Sequence, residues 1–296
     1  MEPWILVTLL AAFAQATRFV LQKKMTATGL TPAGATFARF LFAFPVVALL
    51  AALYAGISAQ ALPGIPAQFW PYAMAGGLAQ IGGTIATVSL FQQRNFAVGI
   101  TFKKTEVILA ALVGLAVLGE GVSGVAVIAI VLGLAGVLLL SRNPTGGGVF
   151  TRAAGIGLLA GLLFAISGVA YRGASLSLTE GNAVLRAAVT LACVTGFQTL
   201  AMIAGFLLRD PGQIGAVLRR WKAAALVALT SLVGSLCWFI AFTLQTVALV
   251  KAVGQVELVF SLAASWLIFA EKITRRELAG MALVLGSVLL LIAAHP

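Results

Sequence analysis

The chain has 296 residues, 61 % of them hydrophobic and 9 % charged, against about 25 % charged in a soluble domain. That composition excludes an ordinary soluble fold, a disordered chain and a nucleic-acid scaffold, and leaves a polytopic membrane protein. The 19 basic residues outnumber the 8 acidic ones, a bias that fits Lys and Arg anchoring loops at one membrane face better than it fits nucleic acid as a partner.

Ten apolar runs follow one another, at about 4–21, 32–54, 69–92, 97–118, 122–141, 153–172, 182–208, 222–246, 249–270 and 276–294. A span takes about 20 residues, so little chain is left for anything outside the bilayer. No basic residue precedes the first run, which therefore reads as a retained helix rather than a secretory signal. Thr31-Pro32 predicts an N-cap followed by Pro at the first helical position. Pro45 predicts a kink in the second run. Trp4, Trp70 and Trp221 stand at run ends, where an amphipathic ring suits the membrane interface. Gly157 and Gly161 have the spacing that lets helices pack closely. Cys193 and Cys237 read as small buried hydrophobes. With His295 the single histidine, neither a metal nor another cofactor is expected.

The chain repeats itself. Sliding residues 97–141 by 151 positions places Glu106 on Glu257, Glu120 on Glu271 and several leucines on leucines. The two acids lie fourteen residues apart in both halves, and four of eight acidic residues are used in the match. The same shift puts Phe13-Ala14 on Phe164-Ala165, and a shift of 147 puts Arg39 on Arg186. The expected fold is an all-α integral membrane protein of ten transmembrane helices. These form two five-helix repeats, residues 1–142 and 152–296, with a short linker at 143–151. Because five is odd, the second repeat enters the membrane the other way up, which makes this an inverted-topology repeat of the secondary-transporter kind.

Several features resemble the EamA branch of the drug/metabolite transporter superfamily: the ten runs, the Arg in the second span of each half, Leu118-Gly119-Glu120, Phe269-Ala270-Glu271-Lys272, and Gly254-Gln255-Val256-Glu257. The resemblance covers essentially the whole chain. It implies export of amino acids or other small metabolites across the bacterial inner membrane, or movement of nucleotide sugars and sugar phosphates, with amino-acid exporters of the YddG type as one kind of relative. Phe102-Lys103-Lys104-Thr105-Glu106 departs from that type in carrying so much charge.

An ionisable residue inside a span is costly and reads as functional by default. Glu106 lies about 21 Å along a helix from Glu120, deep in a hydrocarbon core about 30 Å thick. By the repeat, Glu257 holds the corresponding position. Lys103 and Glu106 are three apart and could pair on one helix face. Glu106 and Glu257 are also candidate proton carriers. Against this stands the reading in which Lys103 and Lys104 snorkel to the interface and Glu106 merely neutralises them. Lys251 reads as a rim anchor. Gln80 and Thr84 share one helix face, as do Ser235 and Trp238. With Lys103, Glu106, Gln255 and Glu257 they form the expected substrate-binding set, although Trp238 and Trp266 could equally be packing residues. Glu120, Glu271, Arg39 and Arg186 are expected to be structural charges, the two acids capping or pairing near helix ends.

Odd-numbered connections carry Lys23, Lys24, Arg94, Arg142, Arg152, Arg209, Arg219, Arg220, Lys222, Lys272, Arg275 and Arg276, whereas even ones carry Arg172 and Lys251. The positive-inside rule then puts both termini in the periplasm. Together these readings describe a secondary exporter of small metabolites, a monomer in the lipid bilayer, working by alternating access and open to proton coupling. Uncoupled facilitated diffusion is the alternative within transport. An intramembrane enzyme is the alternative outside it, disfavoured because the one aspartate, Asp210, and the one histidine lie outside the apolar runs.

Overall fold

The computed structural model describes residues 2–27, 29–93, 103–141, 152–269 and 274–294. These residues are helical throughout, with no strand among them. The helices are α1 (Pro3–Ala27), α2 (Pro32–Leu41), α3 (Ala43–Ile57), α4 (Phe69–Gln93), α5 (Glu106–Leu118), α6 (Gly124–Ser141), α7 (Arg152–Ser177), α8 (Ala183–Arg209), α9 (Gly212–Arg219), α10 (Trp221–Leu244), α11 (Val247–Val253), α12 (Glu257–Phe269) and α13 (Arg275–Ala294). Six described segments are long and apolar enough to cross a membrane: Pro3–Thr26, Pro32–Ile57, Phe69–Leu90, Gly155–Ser177, Ala183–Arg209 and Trp221–Leu244. Shorter apolar helices stand at Glu106–Leu118, Gly124–Gly136 and Leu278–Ser287. Leucines such as Leu49, Leu200, Leu208 and Leu289 face outward, as a lipid-facing belt requires.

Local chemistry explains the joints. Thr31 caps α2 by accepting the Gly34 amide, with Pro32 at the first position. Pro45 has no N–H for the Leu41 carbonyl, and the second run breaks at Phe42, between α2 and α3. Gly119 closes α5 in the left-handed conformation, φ 70°. Its amide bonds to Leu115 O and that of Glu120 to Gly114 O, which satisfies two of the last carbonyls of the helix. Asn182 caps α8 through the Leu185 amide. The amphipathic α9, between the seventh and eighth runs, is an element that the apolar pattern alone does not reveal.

The halves are interleaved. The closest neighbours of α1 and α4 are α10 and α7, while α6 packs on α13 and α3 on α8. In turn α5 packs on α7 and α11, and α12 packs on α1. Two of the three terminal tryptophans, Trp70 and Trp221, are exposed. Trp4 is not: it is buried, and its indole donates to Glu2. Trp266, offered as a packing residue, is also exposed.

Candidate functional site

The fourth and ninth runs are not continuous helices where they are described. In the ninth, α11 ends at Val253, a 3-10 turn spans Gly254–Val256, and α12 begins at Glu257. In the fourth, Lys104 and Thr105 form a turn and α5 begins at Glu106. Each acid is therefore the first residue of a new helix, where the dipole favours negative charge. Gly161 of α7 lets the turn in the fourth run approach. A Cβ at Gly161 would lie 3.2 Å from both the Lys103 carbonyl and the Glu106 amide.

The breaks redirect the ion pairs. Lys103 and Glu106 do not pair with each other as their spacing suggests, because the turn between them removes the shared helix face. Lys103 Nζ lies 3.2 Å from Glu257 Oε1, and Lys104 Nζ lies 2.5 Å from Glu257 Oε2. In return Lys251 Nζ lies 3.5 Å from Glu106 Oε2. Each acid is thus matched to lysine from the other half. Lys104 does not snorkel and Lys251 is not a rim anchor: both are buried in the bundle. Glu257 also accepts from Gln15 Nε2 at 2.9 Å. Lys251 Nζ sits 4.6 Å from the Trp238 ring centroid, and Lys103 Nζ sits 4.7 Å from that of Phe19.

Beside these pairs lies a central cavity of about 10 Å3, lined by Gln15, Gln80, Phe164, Ser167, Tyr171, Ser235, Trp238, Phe239, Phe242 and Lys251. Such a volume is at the threshold for one water. Tyr171 and Phe239 stack at 4.4 Å, and Trp238 and Phe242 at 5.7 Å. Trp238 Nε1 donates to Gln15 Oε1 at 3.1 Å. Tyr171 donates to Gln80 Oε1 at 2.8 Å, and Gln198 Nε2 donates to the same oxygen at 3.0 Å. Gln80, Ser235 and Trp238 are therefore brought together. Thr84 stands behind the wall and accepts from Arg39 Nη1 at 3.2 Å. Gln255 is not at the cavity. It lies against Gly133, where a Cβ would meet its amide nitrogen at 2.7 Å, because the 3-10 turn faces α13 as well as α1.

The expected structural charges divide. Arg39 and Arg186 do not share a role, since they sit at different depths in their helices. Arg39 is buried and donates to Ser231 at 2.7 Å and Ser235 at 3.0 Å. Arg186 is half-buried near the start of α8 and donates to Leu178 O at 3.3 Å. Glu120 pairs with Arg172 at 2.5 Å. The cap of α6 falls to Ser123, whose hydroxyl accepts the Ala126 amide. Arg172 also donates to the carbonyls of Phe242 and Gln245, so it secures the end of α10 rather than marking a loop. Glu271, Arg94, Arg142, Lys272, His295 and the linker at 143–151 lie outside the described residues.

Sequence reasoning missed Gln15, Arg18, Phe164, Ser167, Tyr171, Phe239 and Phe242. For Arg18 a signal was available: it is an arginine inside the first apolar helix. It is buried, donates to Gln15 Oε1 at 3.3 Å, and leaves Nη1 without a partner.

The model of the EamA-like transporter family matches residues 2–142 and again 151–293. One crystal structure, 17 % identical, covers 98 % of this chain and 96 % of its own length with a TM-score of 0.68. At that identity the likeness concerns the fold alone. No curated protein matches the chain.

Proposed function

The chain belongs to the EamA-like transporter family, whose members move small molecules across membranes, and from that premise we propose a secondary transporter that works by alternating access. The halves, 1–142 and 152–296, are in this reading two inverted five-helix repeats of ten spans in all. They sit in a bacterial inner membrane with both termini periplasmic. The cargo is a small metabolite such as an amino acid, and the direction is export. One observation carries the mechanism: a cavity of about 10 Å3, with amide, hydroxyl, ammonium and aromatic groups around it, lies where both halves meet. A metabolite needs a pocket of at least roughly 300 Å3, so loading it requires the halves to part.

Contacts at the two ends of the bundle fit this reading. Thr31, between α1 and α2, donates to Gln213 of α9 at 2.9 Å. At the other end, Asn182 donates to Gln60 at 2.8 Å and to the Tyr54 hydroxyl at 2.9 Å. Connections one and seven thus meet at one end, and two and six at the other, as inverted halves would place them. Parting either end breaks these few bonds. Parting the middle breaks the reciprocal pairs Lys103/Lys104–Glu257 and Lys251–Glu106.

Glu106 and Glu257 are the groups available to carry a proton. Both are matched to lysine, and that observation favours the second reading, an uncoupled carrier. The test is release from proteoliposomes loaded with isotope-labelled amino acids, purines, polyamines and sugar phosphates, followed by mass spectrometry with and without a pH gradient. Selective release of related compounds is expected. Gradient dependence that disappears in Glu106→Gln with Glu257→Gln would establish coupling. Release insensitive to the gradient would establish the uncoupled carrier. Release of nothing above protein-free vesicles would refute transport.

A further inference from the structure

The buried charges of the described residues do not balance. Among the described residues, five buried side chains are cationic (Arg18, Arg39, Lys103, Lys104 and Lys251) and two are carboxylates, Glu106 and Glu257. The carboxylates are used by lysine: Glu106 by Lys251, and Glu257 by Lys103 and Lys104 together. Among the described residues no further buried carboxylate remains for the two arginines. Arg39 is held by three hydroxyls, those of Ser231, Thr84 and Ser235. Arg18 is held by one amide oxygen and has a bare Nη1. A guanidinium keeps its proton in proteins, so this excess cannot be removed by deprotonating the arginines. Inside a membrane an unmatched charge is costly and marks a ligand pathway. With these seven groups charged, the excess is three units.

Both arginines abut the cavity through a single intermediary. Arg39 reaches it through Ser235, and Arg18 through Gln15, while Lys251 is itself part of the wall. A guanidinium fork and an ammonium together suit an oxyanion. Resting on the transporter reading above, we propose that the cargo of the central cavity is a small organic anion. Its carboxylate or phosphate group faces Lys251, Ser235 and Gln15, with Arg39 and Arg18 supplying the field from behind. Its body lies against the Trp238 ring. The cargo then supplies negative charge to match these buried cations.

The experiment uses the full chain in proteoliposomes loaded with a polar metabolite extract of bacterial cells. The extract is supplemented with equal amounts of L-glutamate, succinate, phenylpyruvate and glucose 6-phosphate as anions, L-leucine and L-phenylalanine as zwitterions, and L-lysine and putrescine as cations. Expected is release of one or more anions about tenfold or more above protein-free vesicles, with zwitterions and cations at the background rate. The carboxylate and phosphate probes show which oxyanion is preferred. Selective release of zwitterions or cations without any anion would overturn this proposal and leave the transporter reading standing. Release of no metabolite would overturn both. These outcomes need only the wild-type chain. Arg39→Gln, checked for a monodisperse size-exclusion profile, is expected to slow anion release about tenfold, through loss of the positive field behind Ser235, with partial recovery in Arg39→Lys. A folded Arg39→Gln that releases anions at the wild-type rate would overturn the assignment of Arg39.

Discussion

Glu257 accepts from Lys103, Lys104 and Gln15 while fully enclosed. Removing one partner of a buried ion pair leaves the other charge uncompensated and costs roughly 3–5 kcal/mol. Glu257→Gln strands two ammonium groups, whereas Lys104→Met leaves Glu257 matched to Lys103. The expected order is therefore a large loss of thermal stability for Glu257→Gln and a small one for Lys104→Met, read from size-exclusion fluorescence after heating in detergent. Equal losses would mean that Lys104 is as essential as the carboxylate it shares. The acids were legible in the sequence because a carboxylate in an apolar run is conspicuous. Their partners were not. The spacing of Lys103 and Glu106 suggests a pair only if the helix is continuous, and sequence spacing carries no information about a lysine 145 residues away, the separation of Lys251 from Glu106.

At the scale of elements, the breaks before Glu106 and Glu257 matter more than the lengths of the helices. Apolar runs locate helices well, since α8 and α10 begin and end within two residues of the expected bounds. They do not show a turn made of Lys104 and Thr105, because the flanking composition stays apolar. The turn depends instead on space provided by α7, at Gly161. Gly161→Val adds three carbons where one would already lie 3.2 Å from backbone. Overpacking of this kind costs about 1–3 kcal/mol, so a lower unfolding temperature is expected, with a milder effect in Gly161→Ala. Unchanged stability in both would show that the turn can move away. Arg172 makes the corresponding argument at the opposite end of α7. Arg172→Gln loses its pair with Glu120, a part-buried contact with 12 % and 18 % side-chain exposure. It also weakens the hold on two carbonyls that end α10. A hydrogen bond to a charged group is worth about 1.5–3 kcal/mol when enclosed, and the partial exposure places this loss at or below the lower figure.

At the scale of the molecule, the question is which contacts move. The internal match at a shift of 151 residues points to two halves, as do the two stretches that the family model matches, but not to the packing of one on the other. Helix pairing such as α1 with α10 and α4 with α7 joins one half to the other, and apolar faces that are nearly uniform carry no code for a partner. If the halves rock, the end contacts Thr31–Gln213 and Tyr54–Asn182 must open in turn. Cys193 and Cys237 are first replaced by Ala. Then Thr31→Cys with Gln213→Cys, or Tyr54→Cys with Asn182→Cys, is bridged by a short bifunctional thiol reagent. Either bridge alone is expected to stop release of whatever compound the wild-type chain transports, and a reductant that cleaves the bridge is expected to restore it. Alternating access needs both ends to open once per cycle, so holding one closed halts every cycle rather than slowing it. Continued release with either pair bridged would mean that the path does not pass between α2, α3, α8 and α9. It would then have to be sought beside α5 and α11, where the two interrupted runs pack on each other.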